Sequence, residues 1–159
     1  MAGKGKGLAI GKKTDIVEKP VTGGDGDNVI DQSTSAAANR INGGDGNDNI
    51  TCSALADRVN AGDGDDTVMG GAGDDVLFGN DGTDTAAYEG SIFNFMWEEG
   101  KGNSLTVTDT TGAEGIDTLK HFEILSFDDY TFDLTGPNAA LILADDQDTN
   151  EDNATTFGI

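Results

Sequence analysis

The sequence predicts an all-β fold, a coil of short, stacked parallel strands closed by an antiparallel β cap. Three observations carry this prediction. A nine-residue unit rich in glycine and aspartate recurs through residues 23–87, one aliphatic residue holds the same place in almost every unit, and eight of the ten aromatic residues lie between Tyr88 and Phe132. A unit with a single inward side chain cannot bury it alone, so neighbouring units must stack.

Composition narrows the function before any motif is read. The 159 residues carry 30 acidic against 9 basic side chains, a formal net charge of -21, and only 35% of them are hydrophobic. Such a balance argues against nucleic-acid binding through phosphates and against an anionic membrane surface. It calls for a cationic partner, of which a metal ion is the simplest. One cysteine, Cys52, excludes an intrachain disulfide framework or a Cys-rich zinc site, and one histidine, His121, excludes a multi-histidine site. No apolar run approaches the roughly 18 residues of a membrane span, so no membrane insertion is expected. Leu8-Ala9-Ile10 is too short for the apolar core of a signal peptide. The chain divides into a flexible leader (1–22), a glycine/aspartate segment (23–87), an aromatic-bearing capping segment (88–135) and a polar tail or linker (136–159).

Residues 23–87 hold 13 Asp and no Glu. A disordered acidic tract has no reason to exclude Glu, whereas a tight turn with a short carboxylate does. The units beginning at Gly43 and Gly70 fit G-G-x-G-x-D-x-U-x, with U a large aliphatic, and the unit at Ala61 differs only in its first position. The unit at Gly79 offers only Ala86 as U, and the unit at Gly23 has Asn28 where the others have Asp. Aligning on nine recovers two degenerate units, Thr34 to Asn42 and Cys52 to Asn60, with a two-residue insertion, Gln32-Ser33, before the first of them. The sixth positions then read Asn28, Asn39, Asp48, Asp57, Asp66, Asp75 and Asp84, and the eighth Ile30, Ile41, Ile50, Val59, Val68, Leu77 and Ala86.

Glycines at positions one, two and four let the backbone turn and expose its carbonyls. The closing x-U-x alternates as a short strand with one side chain inward. Two units make one 18-residue turn of the coil, so loops 18 apart stack on one edge. The first edge stacks the loops at 23, 43, 61 and 79, each with Asp at its third position (Asp25, Asp45, Asp63, Asp81); the second stacks those at 34, 52 and 70. Stacked strands sit about 4.8 Å apart, which forces carboxylates of successive turns into like-charge contact. Seven small inward side chains do not offset that repulsion together with the entropy of ordering the chain. Hard oxygen donors, carboxylate and carbonyl, select Ca2+ over zinc or copper. Folding is therefore expected to be coupled to calcium binding, mostly on the first edge.

These tandem units resemble the RTX (repeats-in-toxin) nonapeptide family. The resemblance implies a parallel β-roll, a right-handed β-helix, with each calcium between stacked loops. It implies carbonyls of positions two and four and the sixth-position Asp from one loop, with carbonyls of positions one and three and the sixth-position Asp from the next. Carried over, one site uses Gly44, Gly46, Asp48, Ala61, Asp63 and Asp66, and a second Gly62, Gly64, Asp66, Gly79, Asp81 and Asp84. A third and weaker one uses Gly24, Gly26, Asn28, Gly43, Asp45 and Asp48, and Asp57 and Asp75 are further candidates on the second edge. Asn28 and Asn39 depart from the pattern and remove charge near the N-terminal end.

In the capping segment Phe93, Phe95 and Trp97 alternate, as do Leu105 and Val107, which predicts antiparallel strands joined at Gly100-Lys101-Gly102-Asn103. An open coil end exposes unpaired backbone groups that a cap covers, and covering them is the expected role of these aromatics, with a carbohydrate platform as the sharper alternative. The tail resembles either an interdomain linker of large bacterial surface proteins or a type I secretion signal. No nucleophile–base pair, phosphate loop or zinc motif is visible. The expectation is a non-catalytic, secreted or cell-surface calcium-binding module of a larger secreted protein, with a cell-surface or polysaccharide ligand as candidate partner. Its rival is an accessory domain of an exported protease, lipase or polysaccharide epimerase.

Overall fold

The computed structural model describes residues 19–136. The leader up to Glu18 and the tail beyond Gly136 lie outside the described residues. Eight strands alternate through the repeats: β1 (Lys19–Asp25), β2 (Val29–Asp31), β3 (Asn39–Asp45), β4 (Asn49–Thr51), β5 (Arg58–Asp63), β6 (Thr67–Met69), β7 (Val76–Asp81) and β8 (Thr85–Ala87). A 3-10 turn at Ile92–Asn94 precedes β9 (Phe95–Glu99), β10 (Ser104–Asp109), β11 (Ile116–Lys120), β12 (Ile124–Ser126) and β13 (Thr131–Asp133).

The odd and even strands of the repeats separate into two sheets. One sheet runs β1-β3-β5-β7-β11-β10-β9 and the other β13-β12-β8-β6-β4-β2. Every contact between repeat strands is parallel and in the register that the nine-residue period demands: Ile41 lies beside Val59 and Val59 beside Leu77, Ile30 beside Ile50 and Ile50 beside Val68. The short strands centre on the eighth-position residue because only x-U-x is extended. The longer ones run on through positions one to three of the next unit. The fold is all-β, a parallel β-roll.

The eighth-position side chains of both sheets meet between them. Ile41, Ile50, Val59, Val68 and Leu77 are at most 1% exposed. The roll does not stop at Ala87. Strand β11 adds to β7 and β12 to β8, both parallel, so residues 116–126 lay a further turn on the stack and bring Leu119 and Leu125 into the same core. β1, for its part, begins inside the segment expected to be leader.

The cap grows from this last turn. β9 and β10 pair antiparallel, as do β10 and β11, with the turn at 100–103. Tyr88, Phe95, Trp97, Phe127 and Phe132 pack with ring centroids 5.0–6.0 Å apart, the spacing of stabilising aromatic pairs. Phe93 does not join them. The Ser91 hydroxyl accepts the Phe93 N–H and starts the 3-10 turn one residue pair too early for the strand, leaving Phe93 90% exposed.

The close approach of turns requires glycine where loops stack. Gly62 has φ +131°, and a β-carbon there would collide with the Gly44 carbonyl, whereas one on Gly24 in the end turn would meet nothing. Gly62→Ala should thus destabilise by about 1–3 kcal/mol or prevent folding, while Gly24→Ala is neutral; urea unfolding at saturating calcium separates them. In the same assay Leu77→Ala should cost about 2–5 kcal/mol, and Val29→Ala, at a side chain 85% exposed, no more than about 0.5 kcal/mol.

Candidate metal centre

The sheets position two stacks of loops. On the first edge the register sets Gly24 beside Gly44, Gly44 beside Gly62 and Gly62 beside Asn80; Asp25, Asp45, Asp63 and Asp81 form a second row. Stacking holds across the two-residue insertion, since β1 pairs with β3 without a slip. The third-position side chains point to solvent, but their main chain does not stand idle: the Asp63 and Asp81 carbonyls accept the N–H groups of Gly46 and Gly64 at 2.7 and 2.8 Å.

The sixth-position side chains turn inward and build a ladder. Asp48 accepts the Asn28 N–H through Oδ1, Asp66 that of Asp48, and Asp84 that of Asp66, at 2.7–2.9 Å. On the second edge Asp57 accepts the Asn39 N–H and Asp75 that of Asp57. Each carboxylate thereby commits one oxygen to the turn before it. The other oxygen, Oδ2, is buried without any hydrogen-bond partner in Asp48, Asp66, Asp75 and Asp84. Buried polar atoms are rarely left this way, because each forfeits its hydration.

Beside three of these oxygens the first-position glycine leaves a space that a β-carbon would fill. Gly43 faces Asp48 Oδ2 and the Ala61 carbonyl, Gly70 faces Asp75 Oδ2, and Gly79 faces Asp84 Oδ2 and the His121 carbonyl. Ala61 keeps its β-carbon in the fourth case and is fully buried. Among the described residues no three Asp, Glu, His or Cys side chains converge on one point. A cation in these gaps would draw on carbonyls together with one or two carboxylates, a hard all-oxygen donor set that fits calcium.

The protonation equilibria record the same deficit. Burial, aided by neighbouring carboxylates and opposed by the N–H each receives, pushes Asp75 up to about 8 and Asp84 to about 6, and raises Asp66 as well. Asp117 is pushed by burial to about 7.

Not every sixth position carries the deficit. Asp57 Oδ2 accepts both the N–H and the hydroxyl of Ser53, each at 2.7 Å, so the chain itself supplies the missing donors. Asn28 turns its amide nitrogen onto the Gly26 carbonyl, using up an oxygen of the end loop. Asn39 donates its own amide to Asp57 Oδ1.

Three features escape the nine-residue reading. Fifth-position side chains form a second ladder in the opposite sense: Asp27 accepts the Asn47 N–H, Asn47 that of Asp65, and Asp65 that of Thr83. The recurrence of Asp or Asn there was the available signal. The second-edge ladder continues into Asp117, which accepts the Asp75 N–H at 2.9 Å, and the first-edge ladder into Glu123, which accepts the Asp84 N–H at 2.8 Å. Gly115-Ile116-Asp117-Thr118-Leu119 repeats positions four to eight of the unit, and that pattern could have disclosed Asp117. His121 is exposed. Cys52 is buried, and burial next to Asp57 and Asp75 pushes its thiol far above the range in which it would ionise.

Comparison with known proteins agrees with this geometry. No curated protein matches the chain. Residues 33–51 and 53–86, a third of the chain, match the family described as RTX calcium-binding nonapeptide repeat, four copies. The stacked turns are therefore those of a calcium-binding module, and the chain carries RTX calcium-binding nonapeptide repeats.

Proposed function

We propose that the chain is an extracellular module, structural or adhesive rather than catalytic, that folds on meeting calcium after export. The observation that carries this reading is the set of four buried carboxylate oxygens without partners, Oδ2 of Asp48, Asp66, Asp75 and Asp84. Two first-edge gaps fit the cation best, one walled by Gly44, Gly46, Asp48, Ala61, Asp63 and Asp66, the other by Gly62, Gly64, Asp66, Gly79, Asp81 and Asp84. Bound calcium would supply the charge that lets both carboxylates of a gap stay ionised between stacked turns. Asp66 wall both gaps through its position in the middle of the ladder. The gap walled by Gly24, Gly26, Asn28, Gly43, Asp45 and Asp48 has one carboxylate fewer and a carbonyl already taken by Asn28. At Asp57 the Ser53 donors stand in for a cation.

Coupling of this kind suits export. A chain that leaves carboxylates buried and unpaired stays unfolded where calcium is scarce and closes where it is abundant. Phe93 and Met96, 90% and 61% exposed on the cap, offer the apolar surface on which a polysaccharide or the rest of a larger secreted protein would be sought.

Circular dichroism with calcium titrated against a chelator should show a disordered spectrum without the ion and a β spectrum with it. A β spectrum that survives exhaustive chelation contradicts the proposal. Asp66→Asn should raise the calcium midpoint about tenfold or more, because ligand charge sets affinity. Asp57→Asn should move it little, and equal shifts would count against the two-gap assignment. The pH response follows from the raised carboxyls. Between the ordinary carboxylate value of 3.8 and the folded values of about 6 for Asp84 and about 8 for Asp75, the folded state holds protons that the unfolded chain has lost. Any folding that the calcium-free chain retains should therefore be found toward pH 4 and be lost toward pH 8, whereas saturating calcium should keep the chain folded at both ends. Circular dichroism of the chelated chain at both ends of the window checks it, and a calcium-free chain that gains β signal toward pH 8 would refute it.

A further inference from the structure

The outward face of the seven-stranded sheet runs against the charge of the rest of the chain. Its side chains fall into two rows that cross the strands. In one row Arg40 lies beside Arg58; in the next, Asn42, Asn60, Phe78 and Lys120 are successive neighbours. From β1 across β3, β5, β7 and β11 to β10 neither row contains an Asp or Glu, although the chain has 30 of them. Five strand spacings of about 4.8 Å make this face about 24 Å wide. The Arg58 guanidinium lies 4.9 Å and the Lys120 ammonium 5.8 Å from the centre of the same Phe78 ring. Among the described residues no carboxylate pairs with either cation, in a chain of net charge -21. Asn60 donates to Asn42 Oδ1 at 2.7 Å, and both residues are exposed, with amide N–H groups to spare.

We propose that this face binds a linear acidic polysaccharide with one carboxylate per sugar, a polyuronate. It rests on the reading of a module with a polysaccharide ligand, and it names that ligand's charge and places it on the roll, not around Phe93. Phe78 holds both cations against its ring, so they meet an anion with little further loss of side-chain freedom. A polymer laid along the rows passes one strand about every 4.8 Å, close to the length of one sugar in an extended chain. Arg58 on β5 and Lys120 on β11, two strands apart, then face carboxylates two sugars apart. The planar fork of Arg58 matches such a group, while the Asn42 and Asn60 amides meet the ring hydroxyls. Duplex DNA, with a charge about every 1.7 Å of axis, brings more phosphate toward the acidic edges than these cations offset.

The test is isothermal titration calorimetry of the full chain in calcium with oligogalacturonates too short to gel with the ion. Wild type should bind them, and more weakly as salt rises. Arg58→Gln and Lys120→Gln should each lower the affinity about tenfold. Phe78→Leu should lower it about threefold with no change of charge, and all three should keep the calcium-induced β signal. Methyl-esterified oligogalacturonate, which lacks the charge, and poly-L-glutamate, which lacks the hydroxyls, should bind far more weakly. A wild type that folds with calcium but binds no oligogalacturonate overturns this site and leaves the calcium reading standing. Affinity unchanged in Arg58→Gln means that calcium bridges the ligand to the acidic edges, and overturns it too, as does an ester bound equally well. Poly-L-glutamate bound as tightly assigns the face to an acidic polypeptide and overturns the polysaccharide. Should Lys120→Gln not fold, Arg58→Gln and the ester decide. A wild type that keeps its β signal and its sugar binding after chelation overturns the calcium reading and supports this site.

Discussion

A carboxylate with one oxygen engaged and the other stranded is the constraint on which the rest of this structure depends. Each sixth-position aspartate from Asp48 to Asp84 is turned inward because its Oδ1 receives the N–H of the turn before. That bond sets the spacing and register of the stack, and it forces the second oxygen into a dry gap. A protein that builds its core from one aliphatic side chain per unit has little else with which to offset such a loss. The ladder that aligns the turns therefore leaves second oxygens that a cation would satisfy, beside glycines whose missing β-carbons let the turns approach.

The same structure shows two ways of meeting the demand. Where Ser53 follows Cys52, its hydroxyl and N–H saturate Asp57, and the turn closes with the chain's own donors. Where the loop begins with Gly43, Gly70 or Gly79, no side chain reaches the carboxylate, and the oxygen stays open. Hydrogen-bond closure is indifferent to the surroundings, whereas ionic closure reports calcium. On the proposed reading calcium would act at the rungs of Asp48, Asp66, Asp75 and Asp84, whose second oxygens are open, and not at Asp57.

Much of this was legible in the residues. The eighth-position series from Ile30 to Ala86 locates the core, and the sixth-position series from Asn28 to Asp84 locates the ladder, because strict period nine fixes which residues share a face. The insertion at Gln32-Ser33 did not disturb it, since extra residues in a loop leave strand register untouched. The last turn was hidden for a related reason. Residues 88–115 interrupt the period, so Asp117 and Glu123 stand at no regular distance from Asp75 and Asp84, and only folding brings them together. Ser53 was invisible because its role depends on where a hydroxyl points. Phe93 was misplaced because a local hydroxyl cap prevailed over strand alternation.

Amide hydrogen exchange at Asp48, Asp66 and Asp75 is the most direct probe, since these N–H groups are the rungs of the ladder itself. The account predicts strong protection with calcium and its collapse at all three on chelation. Protection that persists undiminished after the ion is removed would show that the stack closes without it, and would contradict the account.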